Sequence, residues 1–328
     1  MNASTHICDF HLKGAYLDSP IEGQKKHLGN KLLEVAEKAE GYWSDKSEKF
    51  IPAAKDLESL PQGSWLFKIA FTLAKPFTSK AEGEFHHYES NHEIQNPIIR
   101  DHLTGMPMVR PTTWKGHLCF AARMIARTEK DNKIIDRLFG ESLGEETGRR
   151  GRLHFFPTFF DGSKVKKEVI TPLKRDTRTP ASGPIDFEVI PAEAKGEFFL
   201  LYFPYPRGRN WNEDELIDDL ELAVRAVKSM LLDYGFSAKK TASWGIVRNT
   251  LGDGSSLYIK GKNFPGPGAL GLTNSPTFET PENTLIVEAH HIRKYSISSI
   301  SGLVEVVDKI SKRLRETKRK ERKKKRHV

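Results

Sequence analysis

Alternating apolar and polar positions mark the first strand of the chain. Every second residue of 65–73 is large and apolar, from Trp65 to Leu73, which is the pattern of a strand with one buried face. Shorter apolar runs predict further strands that begin at Leu153 and that span 185–190 and 198–203. After a loop of small residues, Ile246 and Val247 predict another short strand.

Apolar residues at helical spacing predict the helices. The first spans 113–127, with Thr112 or Thr113 as its N-cap. The second begins at a capping box of Asn212 and Glu215 and ends at Gly235. The apolar face of this second helix comprises Leu216, Leu220, Val224, Val227 and Leu231. The last helix carries Leu303, Val307, Ile310 and Leu314 and leads into a basic tail.

This order of elements predicts an α+β protein with a ferredoxin-like, RNA-recognition-motif-like antiparallel sheet. Long insertions separate its strands and helices. We expect an amino-terminal extension over 1–61, with a helix near 29–39, and a core over 62–300. A carboxy-terminal helix and tail follow over 301–328. Such sheets bind RNA, metabolites and proteins, so the fold alone leaves the function open.

The formal net charge of +9 is concentrated at the carboxyl end. Residues 309–326 contain twelve Lys and Arg but two Glu, so the rest of the chain is close to neutral. A basic tail is typical of contact with nucleic acid or acidic partners, although a solvated tail has the same composition.

Other compositional features exclude several classes of protein. The chain has two cysteines, no long apolar run and no secretory signal at its start, so we expect a cytoplasmic protein without disulfides or membrane contact. The histidines in the region before the first helix lack the i, i+4 spacing of a helical zinc motif. No metal site or other cofactor is therefore predicted. The histidines that suggest a metal site as an alternative are His86, His87, His92 and His102.

Residues 96–116 give the strongest indication of what the protein binds. This segment combines prolines, a Thr-Gly turn, an Arg-Asp pair and a Lys-Gly helix opening. A helix start presents free backbone N–H groups, and a nearby lysine adds positive charge. The segment therefore predicts a phosphate-rich partner.

The amino-acid sequence of this segment resembles a known family signature. The run NPIIRDHLTGMPMVRPTTWKGHLCFAAR, at 96–123, is similar to the signature of the RAMP superfamily of CRISPR-associated proteins. Three further segments follow in the family's order. GRRGRLHFFPTFFD resembles its Gly-Arg-Leu strand, ITPLKRDTRTPASGPIDFEVIPAEAKGEFFLLYF its thumb hairpin and following strand, and FSAKKTASWGIV a degraded glycine-rich loop.

The resemblance implies a crRNA-binding backbone or terminal-cap subunit of a type III CRISPR effector complex. Its partners would be crRNA, target RNA and other effector subunits, namely backbone, signalling polymerase-like and small subunits. In the family, the loop-to-helix junction grips guide phosphates, the thumb kinks the guide, and the glycine-rich loop packs on the RNA backbone. The implied RNA-binding residues are Arg100, Thr112, Thr113, Lys115, Arg123, Arg149, Arg150, Arg152, Lys174, Arg175, Arg178, Lys239, Lys240 and Thr241.

The sequence also departs from the family pattern. Gln95 stands where target-cleaving members carry an aspartate, and an amide neither acts as a general base nor holds a divalent cation as a carboxylate does. A subunit without catalytic residues is therefore expected, unless Glu93 or His92 substitutes. Ala238 and Ser243 replace glycines of the loop.

Three alternative functions remain open at this point. The chain could be a metal-dependent backbone subunit that cleaves target RNA, or a crRNA-processing endoribonuclease of the same superfamily. Outside catalysis, it could be a protein scaffold recruited by its basic tail.

Overall fold

The structure is a computed structural model. It describes residues 51–79, 88–89, 92–93, 96–101, 106–141, 148–161, 165–172, 174, 176–181, 183–207, 214–272 and 291–325. The predicted helix near 29–39 and the predicted capping residue Asn212 lie outside these ranges. Within them, no helix combines the length and the apolar character that spanning a bilayer requires.

Four α-helices and thirteen strands make up the described fold, together with short 3-10 turns at Ala54–Ser59, Lys240–Ala242 and Pro267–Leu270 and a π-helical turn at Met230–Tyr234. The helices are α1 (Pro111–Ile125), α2 (Glu129–Phe139), α3 (Asp214–Ser229) and α4 (Ile300–Lys325). The strands are β1 (Trp65–Thr72), β2 (Tyr88–Glu89), β3 (His92–Glu93), β4 (Met108–Val109), β5 (Gly140–Glu141), β6 (Arg149–Arg150), β7 (Leu153–Phe155), β8 (Thr158–Phe159), β9 (Lys166–Ile170), β10 (Ile185–Val189), β11 (Lys195–Tyr202), β12 (Ser256–Lys260) and β13 (Ile292–Ser296).

The central sheet has five strands in the order β13-β12-β1-β11-β7, and every pair is antiparallel. Along the chain its elements run β1, α1, β7, β11, α3 and β12. This is the βαββαβ order of a ferredoxin-like fold, with β13 added at one edge. The structure therefore confirms the predicted fold class.

Two strand predictions need correction. The fourth strand of the βαββαβ unit is β12, which the sequence pattern did not indicate, rather than 246–247. Val247 forms only an isolated bridge with Leu73. Its N–H donates to the Leu231 carbonyl while the next N–H, of Arg248, donates to Thr72, so no continuous ladder forms. The predicted strand at 185–190 is β10, which pairs with β9 in a separate hairpin instead of joining the sheet.

The core lies between the sheet and the helices. The alternate residues of β1 that begin at Trp65 face this core, and the Trp65 ring stacks on Tyr202 of β11 at 4.9 Å. Leu66, on the opposite side of β1, is also buried because Leu57 of the first 3-10 turn packs against it. The predicted apolar residues of α3 are all buried, and so is Leu231 in the π-helical turn that follows this helix.

Helix α4 continues through the basic run to Lys325, where the sequence predicted that the helix gives way to a tail. Part of its positive charge is neutralised by acidic residues of α3. Arg315 pairs with Glu221 at 2.7 Å, and Lys318 pairs with Asp214 at 2.8 Å. These ion pairs hold the first half of the basic run against the folded core.

A buried carboxylate joins α2, α3 and the sheet. Asp219 of α3 is fully buried and accepts hydrogen bonds from Arg137 (2.8 Å), Arg152 (2.9 Å) and the Tyr202 hydroxyl (2.7 Å). Burial raises the pKa of the Tyr202 phenol, so it remains a donor to this carboxylate. One anion thus satisfies donors from three separate elements.

We expect Asp219→Ala to lower the free energy of unfolding by about 3–5 kcal/mol, because it leaves buried guanidinium charge without its counter-ion. Urea denaturation followed by circular dichroism measures this change. The matched control is Asp218→Ala, since Asp218 is the adjacent residue but pairs with Lys130 and Arg315 near the surface. Asp218→Ala should lower the free energy of unfolding by about 1 kcal/mol or less. Equal losses in the two variants would contradict a structural role for the Asp219 network.

Candidate nucleic-acid interface

Helix α1 begins two residues earlier than the sequence predicts. Pro111 occupies its first position, and Arg110, at the N-cap, makes no side-chain hydrogen bond to the helix. Thr112 and Thr113 are therefore not caps but residues of the first turn, because a proline with its fixed φ starts the helix ahead of them. The first backbone amide that bonds back is that of Trp114, to the Arg110 carbonyl at 3.1 Å. The amides of Thr112 and Thr113 precede this bond, where helices leave N–H groups unpaired.

Trp114 fixes which face of α1 is exposed. Its ring is fully buried, lies 4.3 Å from Phe236 and 4.7 Å from Phe198, and donates through Nε1 to Thr158 Oγ1 at 3.1 Å. With Trp114 inside, the opposite side of the helix faces outward. The exposed residues of α1 are Thr112, Lys115, Gly116, Phe120, Arg123 and Met124.

The loop 237–245 corresponds to the predicted glycine-rich loop. Ser237 Oγ anchors it by accepting from the Thr78 N–H and donating to the Thr78 carbonyl, both at 3.0 Å. Gly235 and Gly245 have positive φ, and a Cβ at either would lie within 2.7 Å of backbone atoms across the loop. Ser243 also adopts a left-handed conformation, with φ of 57°, so it reproduces the backbone path of a glycine despite its side chain.

Lys239 and Lys240 extend from this loop to two different elements. The Lys240 ammonium lies 3.8 Å from the ring centroid of Phe120 on α1. The Lys239 ammonium lies 4.3 Å from the ring of Phe187 on β10 and 5.6 Å from that of Trp244. The loop therefore connects α1 to the base of the β9–β10 hairpin.

The charges of these two lysines are only weakly compensated. Burial lowers the pKa of both ammonium groups, and Glu168 of β9 partly opposes this effect at Lys239. Among the described residues, neither lysine forms an ion pair within 4.0 Å. Cations held against aromatic rings without a carboxylate partner are well suited to an anionic ligand.

His117 lies beneath this region of α1. Burial, with a further contribution from Lys240, lowers its pKa to about 4, so the imidazole is neutral at physiological pH. Its Nδ1 atom is buried and has no hydrogen-bond partner among the described atoms. His117 therefore adds no positive charge to the surface, and the cations there are lysines and arginines.

Arg100 is not part of the exposed surface. Its guanidinium is buried and lies 3.4 Å from the Glu188 carboxylate of β10, which also accepts from the Ile98 N–H at 3.0 Å. Arg100 thus attaches the 96–101 segment to the hairpin. Its burial removes it from the predicted phosphate contacts, because the folding of this segment against β10 encloses its side chain.

The predicted thumb is a two-stranded hairpin, β9–β10, with an exposed tip. Lys174 and Arg178 lie in the tip, and Arg178 has a positive φ of 59°. The Arg178 N–H donates to the Lys174 carbonyl at 3.1 Å, which closes a tight turn. Arg175 lies outside the described residues, and the side chain of Thr241 is not described.

The three arginines predicted after residue 148 line a cleft that contains no described residue of α1. Arg152 is buried and pairs with Asp219 and Glu215, so it is a structural residue rather than a phosphate contact. Arg149 and Arg150 are exposed and line a cleft of about 970 Å³. Basic residues of this cleft are Lys133, Arg137, Arg149, Arg150, Arg152 and Arg207, and its acidic residues are Asp136, Glu141 and Glu215.

The exposed aromatic residue of α1 was not predicted from the sequence. Phe120 is 37% exposed and packs edge-on against Tyr234 at 5.3 Å. Helical spacing alone could have identified it, because residue 120 falls outside the apolar face formed by Trp114, Leu118 and Ala121. The contact of Phe187 with Lys239 has no such signal, since it depends on the hairpin packing against the loop.

No metal centre was found in the described parts of the chain, where no group of three His, Cys, Asp or Glu side chains could hold an ion. Gln95 and the histidines at 86, 87 and 102 lie outside those parts, and the side chains of His92 and Glu93 are not described.

Comparisons with known proteins identify the family. A model of the RAMP superfamily matches residues 14–248. A search of solved structures found a chain of a cryo-EM structure of the Type III-B Cmr-beta bound to cognate target RNA, with 15% sequence identity and a TM-score of 0.41. The alignment covers 70% of this chain and 75% of that one. No match was found among curated proteins. Because the family model spans more than half of the sequence, the chain belongs to the RAMP superfamily.

Proposed function

We propose that this protein is a crRNA-binding structural subunit of a type III CRISPR effector complex, which recognises foreign target RNA in antiviral defence. The family membership and the α1 surface support this proposal. The α1 surface is defined here by the exposed residues of α1 together with Lys239 and Lys240.

The observation that carries the proposal is the position of the loop 237–245. Lys239 of the loop contacts the base of the hairpin, and the next residue, Lys240, contacts α1. Cations of α1 and of the loop, two segments far apart in sequence, therefore lie on one surface, and this surface reaches the hairpin at Phe187. A single RNA strand on this surface would contact α1 and the loop together.

The chemistry of the surface suits the sugar-phosphate backbone of RNA. Its polar groups are ammonium, guanidinium and hydroxyl groups, with backbone amides at the start of α1. Such groups bind phosphates irrespective of the base sequence. A guide RNA requires this property because its spacer sequence varies.

Gly116 and Phe120 provide two further features of a strand-binding surface. A Cβ at Gly116 would meet no atom within 4 Å, so the glycine is not required by the packing of the protein. It leaves the helix backbone open to close approach by a ligand. Phe120 offers an aromatic ring on which a base can stack, with the Lys240 ammonium beside it.

The proposed subunit binds RNA and other effector subunits but does not cleave RNA. The amide of Gln95, at the position where cleaving relatives carry a carboxylate, supports this part of the proposal. The proposed protein partners are the backbone, signalling polymerase-like and small subunits of the complex.

Charge reversal at Lys115 or Lys240 should weaken the binding of a CRISPR repeat RNA by about tenfold, which corresponds to about 1.4 kcal/mol. Each substitution removes an attractive phosphate contact and adds repulsion. The salt dependence of log K should become shallower by about 0.7 for each lost contact with single-stranded RNA. Fluorescence anisotropy at several salt concentrations measures both quantities.

Lys55→Glu is the matched control for these variants. Lys55 is exposed on the 3-10 turn that covers the opposite face of the sheet. The Lys55→Glu variant has the same change of charge but leaves the α1 surface unaltered, so its affinity for the RNA should remain within about twofold of wild type. Equal losses in the Lys55 and Lys115 variants would indicate a general charge effect and contradict the proposed site.

Gly116→Ala should separate folding from binding. Alanine in place of an exposed helical glycine should raise the free energy of unfolding by about 0.5–1 kcal/mol. The added methyl group should nevertheless weaken RNA binding by about fivefold or more, because it blocks close approach. The control is Gly268→Ala, where a Cβ also meets no atom within 4 Å. Unchanged RNA affinity in Gly116→Ala would exclude close contact at this position.

Labelled precursor and target RNA should remain intact when incubated with the protein and Mg²⁺, as judged on a denaturing gel. The expected reason is the missing carboxylate at position 95. If cut products appear, Glu93→Gln tells whether the chain produces them. Cleavage by wild type that is lost in this variant would contradict the non-cleaving assignment and favour a nuclease.

A further inference from the structure

The cleft lined by Arg149 and Arg150 is a surface separate from the α1 surface. It is formed by α2, the β5–β6 pair and the loop that follows β11. Among the described residues, none of α1, of the hairpin or of the loop 237–245 lines it. Any ligand of this cleft would therefore use contacts that the proposed crRNA site does not supply.

The charge in the cleft is unevenly distributed. At its floor, Arg137 and Arg152 are paired with Asp219 and Glu215, so their charges are largely neutralised. At its rim, Arg149 and Arg150 are exposed, and among the described residues neither forms an ion pair. The rim therefore carries net positive charge above a floor of paired charges.

Aromatic side chains continue from this rim in a ladder. The guanidinium of Arg207 lies 4.7 Å over the Tyr205 ring, Tyr205 lies 5.3 Å from Phe203, and Phe203 lies 6.3 Å from His154. Tyr205 is 41% exposed, so much of its ring is accessible to a ligand. The ladder thus presents exposed ring surface next to exposed arginines.

The floor of the cleft holds the ladder in place. Arg152 donates from Nε and Nη2 to the carbonyl of Pro206, at 3.2 and 3.0 Å. Pro206 separates Tyr205 from Arg207, so these two bonds fix the loop that carries both. The buried Asp219 network therefore orients an exposed platform, which reduces the cost of ordering it upon binding.

From this arrangement we propose that the cleft and its ladder form a second binding site, for a segment of single-stranded RNA. Phosphates bind Arg149 and Arg150, and a base stacks on Tyr205 beside Arg207. Aromatic faces next to a cationic groove are the general means by which proteins hold single strands without reading their sequence. An acidic protein would use the arginines but has no need for the stacked rings, and this favours RNA.

The test uses the full-length protein and a fluorescent oligouridine, with anisotropy measured over a range of salt concentrations. The double variant Arg149→Glu/Arg150→Glu should bind at least tenfold more weakly, and its salt slope should be shallower by about 1.4. Tyr205→Ala should weaken binding about fivefold or more with an unchanged salt slope, because stacking does not release counterions. Tyr205→Phe retains the ring and should restore the affinity.

Three outcomes would overturn the proposal. Wild-type affinity in the double variant excludes phosphate contacts in the cleft, and equal losses in Tyr205→Ala and Tyr205→Phe exclude stacking. Binding of polyglutamate that is lost in the double variant, with RNA affinity retained, identifies a protein-docking surface instead.

The Lys115→Glu variant separates the two sites. If only the Lys115→Glu variant weakens binding, the cleft proposal fails and the α1 site stands. If only the cleft variants weaken binding, the α1 site fails and the cleft proposal stands.

Discussion

The burial of Trp114 is the interaction on which the proposed RNA surface depends. Its ring contacts Phe198 of the sheet and Phe236 at the start of the loop 237–245, and thereby fixes α1 and the loop together. Because the indole is enclosed, the helix has one permitted orientation, which turns Lys115 and Gly116 outward. The packing energy of an aromatic core cluster thus determines where the polar groups of the surface lie.

Buried charge fulfils a comparable role elsewhere in the molecule. Arg100 and Arg152 occupy motif segments that suggest phosphate contacts, yet each forms a buried ion pair that connects separate elements. Burying a guanidinium is unfavourable unless a carboxylate compensates it, so each such pair fixes its partners in a defined geometry. The exposed cations near them are therefore held on a rigid support.

The family motifs and the structure agree on the segments but differ on individual residues. Motif order placed the loop-to-helix junction, the hairpin and the loop 237–245 correctly along the chain. It could not separate Arg149 and Arg150, which are exposed, from Arg152, which is buried, because all three occur within four positions. Burial depends on which of the three side chains reaches Asp219 of α3, and that residue is more than sixty positions away.

The sequence by itself determined the elements whose periodicity is local: β1, the apolar face of α3 and the helical character of α1. It also determined the family, through four motifs in order. Only the tertiary structure decided that β12 completes the sheet, that the basic run is helical, and that Lys239 and Lys240 contact different elements. Pairing between distant strands and the burial of charge arise from contacts between segments remote in sequence, and no local pattern encodes them.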